Sequence, residues 1–105
     1  MAFRVKFLPR AKHDLETIYR RVTEEAPLQG AAWFNGFECS INSLHRLPER
    51  CPVAARLSTQ SDIVRRLHYG RYPHVYTVYY HLVGQTVEIM HIRHGARREP
   101  RRRDL

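Results

Sequence analysis

The most constraining feature of this sequence is a change in hydrophobic spacing at Pro9. Ahead of it, residues 3–7 (FRVKF) alternate apolar and basic side chains, as in a short strand with one exposed face. Beyond it, apolar side chains recur every three or four residues, which is typical of an amphipathic helix. They are Ala11, Leu15, Ile18 and Val22. The pattern predicts a strand followed directly by a helix that ends before Pro27.

A second helical pattern follows Pro27 after a very short link. Its apolar positions, Trp33, Phe37, Ile41 and Leu44, predict a helix over residues 28–47. The short link makes the two helices an antiparallel hairpin. Residues 47–62 contain two prolines and a polar end, and we interpret them as a connector.

The second half of the chain is strand-like. Residues 63–70, 74–83 and 86–93 are rich in Val, Ile and Tyr, and Gly84 with Gln85 is suited to a tight turn between the last two segments. They predict an antiparallel meander, and the first strand can complete a mixed sheet at one edge. The resulting fold is α+β with the order β-α-α-β-β-β. A helical hairpin covers one face of its small, mostly antiparallel sheet, and the opposite face is expected to be open.

We expect residues 1–95 to form a single domain and residues 96–105 to form a basic tail. The tail sequence, ARREPRRRDL, shows no apolar period, so no fixed structure is expected there without a partner. No stretch approaches the ~18 uninterrupted apolar residues of a membrane span, and no secretion signal is evident. These features predict a cytoplasmic protein.

Charge is distributed unevenly along the 105 residues, whose formal net charge is +8. Residues 1–49 carry seven Lys or Arg and six Asp or Glu, whereas residues 50–105 carry eleven Arg and four acidic residues. Arginine can hold a phosphate or carboxylate with two parallel hydrogen bonds. The asymmetry favours a polyanionic or acidic partner, but a charge that only aids solubility would give the same total.

Metal chemistry is not indicated by the cysteines and histidines. Cys39 and Cys51 lie twelve residues apart without a second pair, which predicts neither a zinc site nor a disulfide framework. Alternation along the last strand places Val87, Ile89 and His91 on one face, so His91 and His94 should diverge. We therefore expect no metal and no cofactor.

The strands nevertheless carry groups suited to metal-free RNA cleavage. That reaction needs a base for the 2′-hydroxyl, cations for the phosphate and an acid for the leaving oxygen. The candidates are Arg65, Arg66, His68, Tyr79, Tyr80, His91, His94 and Arg97. Each histidine and tyrosine also has a purely structural interpretation in a packed sheet. Arg65, between Val64 and the nearby Leu67, needs a carboxylate, a carbonyl or a ligand, and a structural ion pair and a phosphate contact both remain open.

Four segments together resemble a known family. They are VKFLPRAKHDLETIY (5–19), LHRLPERCP (44–52), VRRLHYGRYPHVYTVYY (64–80) and VEIMHIRHGARRE (87–99). In this order they resemble the RelE/ParE superfamily of toxins from bacterial type II toxin–antitoxin modules, which includes plasmid stabilisation proteins. The resemblance implies a toxin neutralised by an acidic, partly disordered antitoxin that folds on binding. It also allows a homodimer, or a heterotetramer with the antitoxin.

The resemblance leaves two targets open. RelE-like members cleave mRNA on the ribosome, and their pattern carries over here to Arg65, His94 and Arg97 as catalytic candidates, with Tyr80 and His91 as secondary ones. ParE-like members inhibit DNA gyrase. Because Gly95 follows His94, the terminal His-Tyr pair of several RNA-cleaving members is missing, and their Lys-rich patch is absent too. The resemblance therefore favours a ParE-like gyrase inhibitor, with the endonuclease as the alternative.

Contacts with the target or the antitoxin are expected from arginines of the basic half. The candidates are Arg65, Arg66, Arg93, Arg97, Arg98 and Arg101. A third interpretation is a non-toxic basic domain that binds nucleic acid, with Tyr76, Tyr79 or Tyr80 as stacking platforms.

Overall fold

Two helices and four strands follow one another in the predicted order. The computed structural model describes residues 2–71, 74–95 and 98–105. The elements are β1 (Arg4–Phe7), α1 (Pro9–Glu25), α2 (Pro27–Asn42), β2 (Val64–Tyr69), β3 (Tyr76–Val83) and β4 (Thr86–His94). The sheet order is β1-β4-β3-β2. Because β1 is parallel to β4 and the other pairs are antiparallel, the predicted mixed sheet and α+β fold are confirmed.

The helical hairpin is tight because a single residue, Ala26, separates α1 from α2. Pro27 occupies the first turn of α2, where its missing N–H costs no helical hydrogen bond. A Cβ atom on Gly30 would lie only 2.2 Å from the carbonyl oxygen of Val22 in α1. Glycine disfavours a helix interior by about 1 kcal/mol relative to Ala, but here it is the residue that lets the two helices approach closely.

Helix α2 is shorter than predicted. It ends at Asn42, and one 3₁₀ turn over Ser43–His45 follows. Leu47 then adopts a left-handed conformation with φ of 47°, ahead of Pro48. The Arg50 guanidinium stabilises this turn by donating to the Arg46 carbonyl at 2.6 Å and to the Ser43 hydroxyl at 2.7 Å. None of the helices in the described ranges is long and apolar enough to cross a bilayer.

The helices cover one face of the sheet, which we call the helix face. Phe37, Ile41 and Leu44 are fully buried there against Tyr80 and Ile89. Around them the aromatic rings meet at centroid distances near 5 Å, including Trp33 with Phe37 (5.2 Å) and Phe37 with Tyr69 (5.3 Å). This apolar layer is the main core of the protein.

The opposite face, which we call the reverse face, is not open, and the expectation of a bare sheet is wrong there. A second apolar cluster contains Ala54, Leu57, Val64, Tyr79 and Met90, with Leu8 and Leu105 packed against it. The connector contributes the first two residues and the chain terminus contributes Leu105. Residues 102–104 form a 3₁₀ turn, so the end of the chain has structure without a partner. Isolated apolar residues far apart in sequence build this cover, which explains why periodicity did not reveal it.

A β-bulge in β4 changes the predicted alternation. Tyr79 pairs with His91 but Tyr80 pairs with Ile89, so Met90 is the extra residue. Val87, Ile89 and Ile92 therefore belong to the helix-face core, whereas Met90 belongs to the reverse-face cluster. The expectation that His91 shares a face with Val87 and Ile89 is wrong because the bulge reverses the parity after Ile89.

Candidate functional site

Arg65 uses its guanidinium to hold the connector against β2. Its Nη1 donates to the carbonyl oxygens of Glu49 at 3.0 Å and Cys51 at 2.8 Å. The Glu49 carboxylate lies 3.9 Å from Nη2. The Arg65 side chain is only 19% exposed, so these carbonyls supply acceptors that a partly buried cation requires. Of the two roles left open by the sequence, the contacts are those of a structural residue.

Tyr80 is completely buried on the helix face, and it is the cross-strand partner of Arg65 in the β2–β3 pair. Its hydroxyl donates to the Pro48 carbonyl at 2.6 Å. Burial, followed by the neighbouring Cys51 thiol, raises the pKa of Tyr80 far above its ordinary value. The phenol is therefore locked as a neutral donor inside the core and is poorly suited to exchange protons with a substrate.

His91 forms a buried pair with Asp14. The ring Nδ1 lies 2.6 Å from the Asp14 carboxylate, and the backbone N–H of Ile92 donates to the same oxygen at 3.0 Å. Burial alone would raise the pKa of Asp14, but the hydrogen bonds from His91 and Ile92, together with electrostatic attraction to His91 and Arg10, lower the pKa below the ordinary value. The second ring nitrogen, Nε2, is buried and has no hydrogen-bond partner among the described residues.

His94 lies at the far end of β4, with its ring edge-to-face against Tyr76 at 5.1 Å. Strand β3 lies between the strands that carry Arg65 and His94. Arg65 pairs with Tyr80 and His94 pairs with Tyr76, so Arg65 and His94 are separated by four residues along β3 and by two strand spacings across the sheet. At about 3.3 Å per residue and about 4.8 Å per strand, their Cα atoms lie roughly 16 Å apart. The structure does not bring these two candidates together, and Arg97 lies outside the described residues.

The histidines meet instead in a cleft of about 240 Å³ between α1 and the end of β4. His91 and His94 occupy opposite faces of the strand, yet both line this cleft because it opens at the strand edge beyond β1. The other charged or ionisable side chains around it are Arg10, His13, Asp14, Arg21 and Arg93. We call it the α1–β4 cleft. Among the described residues, no group of three or more His, Cys, Asp or Glu could hold a metal ion.

The remaining arginine candidates lie around the end of the chain. Arg66 pairs with Glu99 at 3.2 Å, and Arg93 donates to the Arg98 carbonyl at 2.7 Å. Arg98 and Arg101 are exposed. Two of the six arginines expected to contact a partner, Arg66 and Arg93, thus also fasten the protein's own C-terminal segment, residues 98–105.

Two polar clusters were missed by the sequence reasoning. One is the Asp14–His91 pair, whose members are 77 positions apart. The other joins His81 to Asp62 and Glu88, at 2.8 Å each, and joins Asp62 to Arg102 at 2.7 Å. No local pattern marks Asp14 as a carboxylate that reaches a distant strand.

Comparisons with known proteins agree with this architecture. The family model for the ParE toxin of the type II toxin–antitoxin system, parDE, matches residues 5–99. A solved structure of the chromosomal ParDE TA system from P. aeruginosa shares the fold, with a TM-score of 0.68 and 19% identity over 89% of this chain and 96% of that chain. No curated protein matches the chain. The chain therefore belongs to the ParE toxin family of type II toxin–antitoxin systems.

Proposed function

We propose that this toxin arrests growth by inhibiting DNA gyrase, in the cytoplasm, and that a cognate acidic antitoxin neutralises it. The observation that supports this choice of target is the set of contacts made by the Arg65 guanidinium. Both N–H groups of its Nη1 donate to the Glu49 and Cys51 carbonyls, and the Glu49 carboxylate lies 3.9 Å from Nη2, so the guanidinium is held against the connector and only its Nε and Nη2 donors are left for a crowded phosphate. An arginine fixed in this way favours a toxin that acts by binding, as a gyrase inhibitor does.

The geometry of the other nuclease candidates supports the same proposal. Tyr80 is buried and hydrogen-bonded to Pro48, and His94 lies roughly 16 Å from Arg65 by strand and residue spacing. General acid–base catalysis requires the acid and base to lie within hydrogen-bond reach of one reacting group. The endonuclease alternative would have to assemble its centre from other residues, and the α1–β4 cleft, with His91 and His94, is the place for it.

Charge supports the antitoxin as a partner. With a formal net charge of +8, an acidic segment that folds on binding gains long-range attraction as well as contact area. Exposed Arg98 and Arg101 offer unused forks for its carboxylates. The same proposal allows a heterotetramer with the antitoxin and a homodimer of the free toxin. Light scattering of the complex and of the free toxin would measure both states.

Induced expression of the full chain tests the target. We expect growth arrest, relief by the product of a neighbouring acidic reading frame, and loss of gyrase supercoiling activity with purified protein. Transcript ends should stay unchanged. Ribosome-dependent cuts within codons, with supercoiling intact, would instead establish the endonuclease. Normal growth at high soluble expression would leave only the non-toxic nucleic-acid-binding domain.

Paired variants distinguish a structural Arg65 from a catalytic one. Arg65→Ala should lower the melting temperature because it leaves two connector carbonyls without their donor. His94→Ala serves as the comparison for the nuclease set. If both variants lose toxicity while keeping the wild-type melting temperature, Arg65 and His94 are functional residues and the gyrase proposal loses its main support.

A further inference from the structure

The α1–β4 cleft is strongly basic once its internal pairs are counted. Arg10 and Arg21 of α1 are half exposed and make only long ion pairs within the helix, 3.9 Å to Asp14 and 3.8 Å to Glu25, and Arg93 of β4 lines the same cleft. Asp14 is the one carboxylate lining the cleft in the described part of the chain, and it is already engaged by His91 and by the Ile92 N–H. What the cleft can offer a ligand is therefore mainly hydrogen-bond donors and positive charge.

The hydrogen bonding of His91, which lines the cleft, is incomplete among the described residues. His91 is 3% exposed, and its Nε2 is buried without a partner among the described residues. Buried polar side-chain atoms are rarely left unpaired in folded proteins. A group bound in the cleft would bring charge next to this nitrogen and give the donors around it something to bind.

The spacing of the arginines points to a ligand with repeated charge. Arg10 and Arg21 are eleven residues apart on α1, which at 1.5 Å per residue is about 16 Å. His13 and Thr17 lie between them on the same side of the helix. A single compact anion cannot engage both ends of this row, whereas successive phosphates along a strand can.

The strand edge beside the cleft argues against an acidic peptide as the occupant. A peptide would bind there by adding a strand to β4, where β1 pairing stops at Ile89. The Ile92 N–H needed for such a ladder is already taken by the Asp14 carboxylate. A phosphodiester backbone needs only donors, and Arg, His and Thr side chains supply them.

We propose that the α1–β4 cleft binds the backbone phosphates of a nucleic-acid strand, with Arg10 and Arg21 as the two phosphate contacts on α1. This site is separate from Arg65 and does not depend on the gyrase proposal, because it is tested by binding and not by growth arrest.

The test is fluorescence binding of the purified full chain to a short oligothymidylate strand at several salt concentrations. The double variant Arg10→Gln with Arg21→Gln should weaken binding at least about tenfold, since each contact is a charge-assisted hydrogen bond. It should also reduce the slope of log K against log salt by about 1.4, or about 0.7 for each phosphate contact to a single strand.

Matched controls come from the neighbouring positions. Lys12→Gln with Arg20→Gln removes the same charge from α1 outside the cleft and should leave the affinity within about twofold. NMR should show the His91 ring resonances moving on binding in the wild type and not in the cleft variant. Equal losses in both double variants would overturn the proposal, because general electrostatics would then explain the binding.

Two further probes identify the source of the phosphate. Inorganic phosphate could bind as tightly as the oligonucleotide, with the same dependence on Arg10 and Arg21. That result would keep a phosphate site in the cleft but would overturn the proposal that its ligand is a nucleic-acid strand. Polyglutamate that moves the His91 resonances while the oligonucleotide does not would overturn the site altogether and assign the cleft to carboxylates.

Discussion

The helix face and the reverse face of the same four strands differ in what holds their covers in place. On the helix face, two long helices bring large apolar side chains such as Phe37 and Ile41 into full burial. On the reverse face the apolar cluster is smaller, and the cover is fastened by ion pairs, Arg66 with Glu99 and Arg102 with Asp62. One cover is a pair of helices, and the other is made by the connector and the end of the chain.

This difference implies different responses to solution conditions. Apolar burial scales with area and is little affected by salt or pH. Partly exposed ion pairs are individually weak and are screened by salt. The reverse-face cover should therefore open at a lower free energy than the helix face, as local openings do in small domains.

Two histidines of the sheet differ in how fully the protein uses their ring nitrogens. His81 on the reverse face has a carboxylate oxygen 2.8 Å from each ring nitrogen, so both of its nitrogens are used within the protein. His91 has one partner, Asp14, and a second nitrogen with none among the described residues. The first histidine completes a structural network, whereas the second leaves capacity for a bound group.

The largest expected effect tests the helix face. Phe37→Ala removes a fully buried ring from the centre of the aromatic layer and should lower the free energy of unfolding by about 3–5 kcal/mol. Leu28→Ala on the same helix is the control, because Leu28 is 87% exposed and should change it by less than about 0.5 kcal/mol. Denaturant unfolding measures both, and similar values would mean that α2 is not the principal cover.

A smaller effect is expected at Asp14, where α1 meets β4. Asp14→Ala leaves the His91 Nδ1 and the Ile92 N–H without their acceptor, which should cost about 1–3 kcal/mol at neutral pH. Glu16→Ala is the exposed control on the same helix.

The pH dependence of this loss has a defined sign. Because the pKa of Asp14 is lower in the folded protein than its ordinary value of 3.8, the unfolded chain binds the proton more readily. The stabilisation is fully present above that value and disappears as pH falls through the folded pKa. Wild type and Asp14→Ala should therefore converge in acid, and a constant difference at every pH would show that the carboxylate charge is not involved.

The fold could be predicted from the sequence because its signals are local. The stripe at Ala11, Leu15 and Ile18 gives α1, and the prolines at its ends give its limits. Strand order follows from short connections, which also place β1 at an edge. The Met90 bulge could not be predicted, because an alternating pattern is the same with or without an extra residue until the partner strand is known.

The site could be predicted only in part because its contacts are distant in sequence. Arg65 was correctly marked as a cation in need of acceptors, but the acceptors are backbone carbonyls in the connector, which carry no sequence signal. Asp62 and Arg102 are 40 positions apart, and each looks like an ordinary surface residue on its own.

The smallest expected effect tests the reverse face. The Arg102 guanidinium donates to the Asp62 carboxylate at 2.7 Å and to the Leu57 carbonyl at 2.6 Å. Burial opposes the charge on Asp62, but the hydrogen bonds from Arg102 and His81 prevail and lower its pKa. Since the Arg102 side chain is 44% exposed, Arg102→Ala should cost less than about 1 kcal/mol of global stability.

Its local effect should be larger than its global one. Without Arg102 the C-terminal segment loses its link to the connector, so hydrogen exchange should speed up at the Leu105 and Ser58 amides and stay unchanged in α2. About 1 M salt, where the screening length is near 3 Å, should do the same to the wild type and little to the variant. Arg103→Ala is the exposed control. If Arg102→Ala leaves these amides protected, the apolar contacts of Leu105 hold the cover without the ion pair, and the two faces are closed by the same force.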